Sequence, residues 1–194
     1  MRYLIFILSM IFLGCAELSV NLKDSEIRPF KEFSKIEGAS EALGPIKFEV
    51  IDARGEARMN QIGFAYTGVQ YQKTPVLLKK DVAAYTKDEL ATAFTRRNIL
   101  VSDEAEIAFE MIITKLSVNE YIEKHMPERA VCEIELQVKS QYLAKTFNAR
   151  YWTEITSPGD LGDGTEKIAP TFASCLNVIA NKIATDPKFQ AYLK

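Results

Sequence analysis

One histidine and three cysteines are the only imidazole and thiol ligands in the chain. Metal binding or imidazole catalysis needs such groups gathered, with partners that fix a tautomer or share the ion. His125 stands in Glu123-Lys124-His125-Met126-Pro127 with no such partner at a useful spacing, and it reads as an exposed loop residue. Asp52 and Arg54 close a strand-like run and form a candidate structural ion pair, although paired charges can also hold a ligand. Asp160, Asp163 and Gly164 hint at a cation loop, but their spacing is not that of an EF-hand. Lys79-Lys80 and Arg96-Arg97 read as solvated pairs at helix ends rather than as a phosphate site. Phe64, Tyr66, Tyr71 and Trp152 fall outside the clearest core positions. They form a candidate binding surface, or lie under a folded-over loop. The sequence holds no phosphate loop, no H-E-x-x-H helix and no nucleophile elbow. No catalytic residue, cofactor or metal is expected.

Composition narrows the class further. The 194 residues are 47% hydrophobic, and 24 basic side chains face 26 acidic ones. That describes one folded domain, and a net charge of -2 gives no reason to expect a nucleic-acid partner. The N-terminus carries an address. Arg2 supplies an early positive charge, and Leu4 to Leu13 is apolar apart from Ser9. Such a run makes roughly 15 Å of helix, about half the hydrocarbon thickness of a bilayer. It is too short to span and fits a cleavable export signal over residues 1–14. Phe12-Leu13-Gly14-Cys15 resembles the lipobox of bacterial lipoproteins, with Leu13 where Ala or Ser is usual. The resemblance implies cleavage between Gly14 and Cys15 and acylation of Cys15, which attaches the protein to a membrane. Ala16, where an Asp favours inner-membrane retention in enterobacteria, implies the outer membrane, with the domain in the periplasm.

Residues 15–44 show no sustained period of 2 or 3.6 and read as the lipidated cysteine and its tether. A single domain is expected over 45–194. Ile46 to Asp52 alternates as a half-buried strand, and a hairpin is expected around Ile62 to Tyr71, with a short strand at Val76 to Leu78. Asp81 is a candidate N-cap for a helix running to about Arg97; Thr86 and Glu89 offer an alternative start. Three strands follow, over Glu106 to Val118, Ala130 to Lys139 and Lys145 to Glu154, with a phase slip near Lys115 that signals a bulge. Ile168, Phe172, Cys175, Leu176, Ile179 and Ile183 then form the apolar stripe of a second helix, regular from about Ala169 because of Pro170. The expected fold is α+β: an antiparallel sheet of about four or five strands with two helices on one face, in the order strand-helix-strand-strand-strand-helix. Cys132 and Cys175 both point inward by pattern. An oxidising compartment invites a disulfide between them. A helix-to-sheet spacing of about 10 Å argues instead for two buried free thiols.

Five segments carry a family resemblance. They are Val50-Ile51-Asp52-Ala53-Arg54 with Ile62-Gly63, the helix with Leu90 and Phe94, Arg97-Asn98-Ile99, Phe109 to Leu116, and Phe147-Asn148-Ala149-Arg150-Tyr151. Over roughly residues 46–185 the chain resembles the YajG family of bacterial lipoproteins. The resemblance implies a compact periplasmic domain on a lipid anchor, without catalytic residues. It leaves two expectations for function. One is a non-catalytic adaptor that binds another envelope protein or wall component. The other is an auxiliary component of lipid or lipopolysaccharide transport, which calls for an apolar groove or an apolar outer sheet face.

Overall fold

The computed structural model describes residues 19–23, 26–55, 58–122, 128–158 and 164–194. Gly14, Cys15, His125, Asp160 and Asp163 lie outside the described residues. The elements run β1 (Val20–Asn21), β2 (Leu43–Asp52), β3 (Gln61–Thr67), β4 (Gln72–Leu77), α1 (Val82–Thr95), β5 (Ile99–Val101), β6 (Ile107–Tyr121), β7 (Arg129–Tyr142), β8 (Lys145–Thr156), α2 (Gly164–Thr185) and α3 (Pro187–Tyr192).

β6 is the spine. One of its edges pairs antiparallel with β7 from Phe109 to Tyr121. The other edge is shared: β2 lies parallel along Ile107 to Ile113, and β3 lies parallel at Val118 and Asn119. The result is an eight-stranded mixed sheet, which corrects the expectation of four or five antiparallel strands. The physical reason lies in the element order. The connection from β2 back to β6 carries α1, and such a crossover returns the chain in the same direction, so the two strands are parallel. β1 and β5 have two and three residues, too few for alternation to show them. The phase slip near Lys115 is a register shift between Ile113 and Lys115.

Three helices cover one face. Asp81 caps α1, its carboxylate accepting from the amides of Ala83 and Ala84 at 2.7 and 3.1 Å. α2 begins at Gly164, earlier than the Ala169 expected for its regular part, and holds Pro170 inside it. Beneath them, alternate residues of the long strands are buried, among them Ile46, Phe48, Phe109, Met111, Ile134, Leu136, Val138 and Phe147. Phe48 meets Phe94 of α1 edge-on at 5.6 Å, and Phe109 meets Phe189 of α3 at 5.1 Å between ring centroids. The intervening strand residues form the opposite, uncovered face.

The segment expected as a tether is docked over most of its described length. Val20 and Asn21 pair parallel with Val76 and Leu77 of β4, and Leu22, Ile27 and Ala39 are buried. Asn177 and Asn181, one turn apart on α2, donate to the carbonyls of Phe33 and Lys35 at 2.5 and 2.9 Å. The amide of Ala39 donates to Arg97 O at 3.1 Å. Gly38 permits this approach: a Cβ there would lie 2.5 Å from Arg97 O. Beyond the two residues of β1, this backbone is held by side chains and single main-chain bonds instead of a strand ladder, so no period shows in the sequence.

Cys132 of β7 and Cys175 of α2 form a disulfide with a Cα–Cα distance of 6.3 Å, in place of the two free thiols expected. A spacing of about 10 Å is that of the helix axis. Helical Cα atoms sit about 2.3 Å off that axis, so one facing the sheet is nearer by that amount.

Candidate functional site

The uncovered sheet face is a ladder of charges. Lys115 pairs with Glu133 at 2.5 Å, Arg150 with Glu135 at 3.7 Å and Lys139 with Glu110 at 4.0 Å. Trp152 Nε1 donates to the Glu133 carboxylate at 2.9 Å. The hydrogen bond from Lys115 holds Glu133 below the usual carboxylate range and raises Lys115 in turn. At the end nearest the β7–β8 turn this face holds a groove of about 570 Å³, with Lys47, Glu49, Glu110, Lys139 and Asn148 around it. The charged side chains around it carry both signs, and Phe48, Phe109 and Phe147 also line it.

Asp52 and Arg54 sit where β2 leaves the β6 edge and β3 joins it. Their side chains are 7% and 5% exposed and meet at 2.6 Å. Arg54 Nε donates to the second Asp52 oxygen at 2.8 Å, a bidentate fork. Arg54 Nη1 reaches the carbonyls of Gln61 and Leu116 at 3.0 and 3.1 Å, and Nη2 reaches Arg58 O at 3.2 Å. The bulge beside Lys115 and the gap between β2 and β3 expose carbonyls that no strand meets, and Arg54 supplies the donors. Gly63 lets β3 come this close: a Cβ there would lie 1.9 Å from Val118 O.

The four aromatics do not converge. Phe64, Tyr66 and Tyr71 belong to the β3–β4 hairpin, where Lys73 Nζ lies 4.2 Å from the Phe64 ring centroid. Trp152 is on β8, separated from that hairpin by β6 and β7.

Among the described residues β8 pairs only with β7, so its other edge meets no strand along its 12 residues. The carbonyl of Trp152 points outward, accepting from Lys182 Nζ at 2.7 Å. In an antiparallel strand the amide and carbonyl of one residue point the same way, and they alternate along the chain. Asn148, Arg150 and Glu154 therefore also turn their backbone groups outward. Between this edge and α3 runs a groove of about 770 Å³, bordered by Lys145 to Tyr151 and by Asp186, Lys188, Ala191 and Tyr192. The Tyr151 hydroxyl donates to Asp186 at 2.6 Å; burial and that carboxylate push the phenol well above its usual range. Alternation in the sequence gave no sign of this edge, because an edge strand and a central strand share the same pattern of side chains.

Arg97, expected as a solvated cap, is 1% exposed. Its guanidinium donates to Ala93 O at 2.7 Å, to the Asn181 side-chain oxygen at 2.6 Å and to Asn177 Oδ1 at 2.6 Å. Burial lowers its pKa to about 10. The sequence signal was two asparagines four apart beside the apolar stripe of α2.

Among the described residues no three His, Cys, Asp or Glu side chains are placed to hold a metal ion, and no helix is long and apolar enough to cross a membrane. Residues 38–194 match a family described as an uncharacterized lipoprotein. The chain is thus a lipoprotein by family. It belongs to the Lipoprotein_16 family, that of the YajG lipoproteins. No curated protein matches the chain. Among solved structures it is similar to protein XCC0632 from Xanthomonas campestris, of family DUF330, with a TM-score of 0.52 at 12% identity, covering 90% of this chain and 92% of that one. It is also similar to the hypothetical protein CT253 from Chlamydia trachomatis, with a TM-score of 0.48 at 8% identity, covering 74% and 96%. The first likeness is one of fold alone, and the second is too distant to carry an argument.

Proposed function

We propose that this lipoprotein is a non-catalytic envelope adaptor, anchored through Cys15, whose domain takes up an extended segment of a partner protein along β8. The observation that carries this reading is the unpaired 12-residue edge of β8 beside the α3 groove. Strand addition draws affinity from main-chain hydrogen bonds and specificity from alternate side-chain pockets. β8 lacks the proline or bulge that usually blunts a long edge. Among the described residues Lys182 on the Trp152 carbonyl guards this edge, and a long flexible side chain leaves readily. The transport reading needs an apolar groove or outer face: the charge ladder disfavours the outer face, while the groove near the β7–β8 turn, with Phe48, Phe109 and Phe147 in its lining, keeps transport as the second reading.

A photoreactive residue at Asn148, in the acylated protein in its native envelope, tests the reading. The expected result is a discrete protein adduct that disappears when Arg150→Pro is added. Proline there removes one outward amide while leaving the β7 ladder intact. A lipid or lipopolysaccharide adduct instead would favour transport. No adduct, or one indifferent to Arg150→Pro in a variant that still melts cooperatively, would overturn strand addition.

A further inference from the structure

The described chain begins at Ser19, beside β4, and β1 runs parallel to β4 with Val20 opposite Val76. The upstream end of β1 therefore faces the same way as the β3–β4 turn. Cys15 precedes Ser19 by four residues (19 − 15). At about 3.3 Å per extended residue those four reach at most ~13 Å, the same span as Gln72 to Val76 of β4. An acyl anchor at Cys15 thus holds that pole of the domain against the bilayer and leaves no room for a wide stand-off.

That pole gathers several exposed apolar and aromatic side chains. Val69 in the β3–β4 turn is 99% exposed and Tyr71 60%, and Tyr66 is exposed beside them. β3 is parallel to β6, so the end of β6 arrives at the same pole with exposed Tyr121 and Ile122. Tyr66, Val69, Tyr71 and Ile122 surround one shallow cavity of about 320 Å³, with Glu120 and Glu128 also in its lining. Tyrosines with a few aliphatic side chains are the composition of proteins that rest at the headgroup level of a membrane.

We infer that the β3–β4 turn and the end of β6 form a membrane-contact surface, with Val69, Tyr71, Tyr66, Tyr121 and Ile122 seated in the lipid headgroup region beside the acylated Cys15. The inference rests on lipidation of Cys15. It fixes the orientation of the domain: the β7–β8 turn and both grooves point away from the bilayer, toward partners.

The test uses the full acylated protein in vesicles of phosphatidylethanolamine and phosphatidylglycerol. An environment-sensitive fluorophore is attached at Val69→Cys in one sample. In another it is attached at Leu143→Cys, in the β7–β8 turn, where the side chain is 82% exposed. The expected result is a blue shift and quenching by lipid-borne quenchers at position 69, with neither at position 143. Equal, water-like emission from both sites in membrane-bound, acylated protein overturns the contact surface while leaving the anchor standing. An N-terminal peptide whose mass shows no acyl chains overturns the anchor and this inference together.

Discussion

Arg54 and Arg97 are both withdrawn from water, and the fold treats them differently. Arg54 faces a carboxylate in a bidentate fork and spends its remaining donors on carbonyls stranded at the β2–β3 junction. Arg97 has no carboxylate among its hydrogen-bond partners; two asparagines and backbone carbonyls surround it. Neutral dipoles can solvate a cation but do not cancel it, which is why burial depresses Arg97 to about 10. The same two asparagines also hold the strap of residues 33–37. Arg54 therefore mends a break within the sheet, while Arg97 ties three separate pieces together: the end of α1, the face of α2 and the N-terminal strap.

This contrast can be broken by substitution. Arg97→Met removes the shared donor and leaves Ala93 O and both asparagine side chains short of a partner. The cost should be about 3–5 kcal/mol in urea unfolding, with the strap becoming protease-sensitive before the sheet does. A variant in which strap and sheet stay equally protected would deny Arg97 its tying role. Asp52→Asn leaves the Arg54 cation without its counter-charge but with its carbonyl partners in place. The expected loss is smaller, about 2–3 kcal/mol, with faster amide exchange at Leu116 and Gln61 and none gained at the strap. The least effect is one of pH. The folded-state pKa of Arg97 lies below its ordinary value, so folding disfavours its charged form. Its penalty is full below about pH 10 and is relieved as pH rises toward the unfolded value. Measured against Arg97→Met, the native protein should gain about 1 kcal/mol between roughly pH 8 and 11. A flat difference would mean that the dipoles compensate the charge completely.

What could be read in advance follows from the range of each interaction. Asp52 and Arg54 are two residues apart at the end of an alternating strand, so their pairing is local and legible. The long strands and the stripe of α2 show themselves through period. Arg97 was misread because its partners Asn177 and Asn181 lie some 80 residues away, and a basic residue at a helix end ordinarily meets water. The parallel pairing of β2 with β6 was implicit in the strand-helix-strand order, yet alternation of β2 suggested an antiparallel sheet with one wet face. That inference fails because parallel strands too can have one face uncovered when helices occupy only the other. The strap was hidden because it makes no ladder, and the α3 groove because nothing in a strand's side chains tells whether its backbone edge is paired.

The spine position of β6 has a consequence in time. An exported chain enters its folding compartment N-terminus first. β2 is complete at Asp52, but its long partner ends only at Tyr121. In that interval the early half holds a strand and a hairpin whose lasting neighbours have not arrived, and pairings so distant in sequence are slow to close. Unpaired strands in that interval are sites of aggregation. Lys47 and Glu49, alternating with the buried Ile46 and Phe48, put charge on β2 throughout the wait.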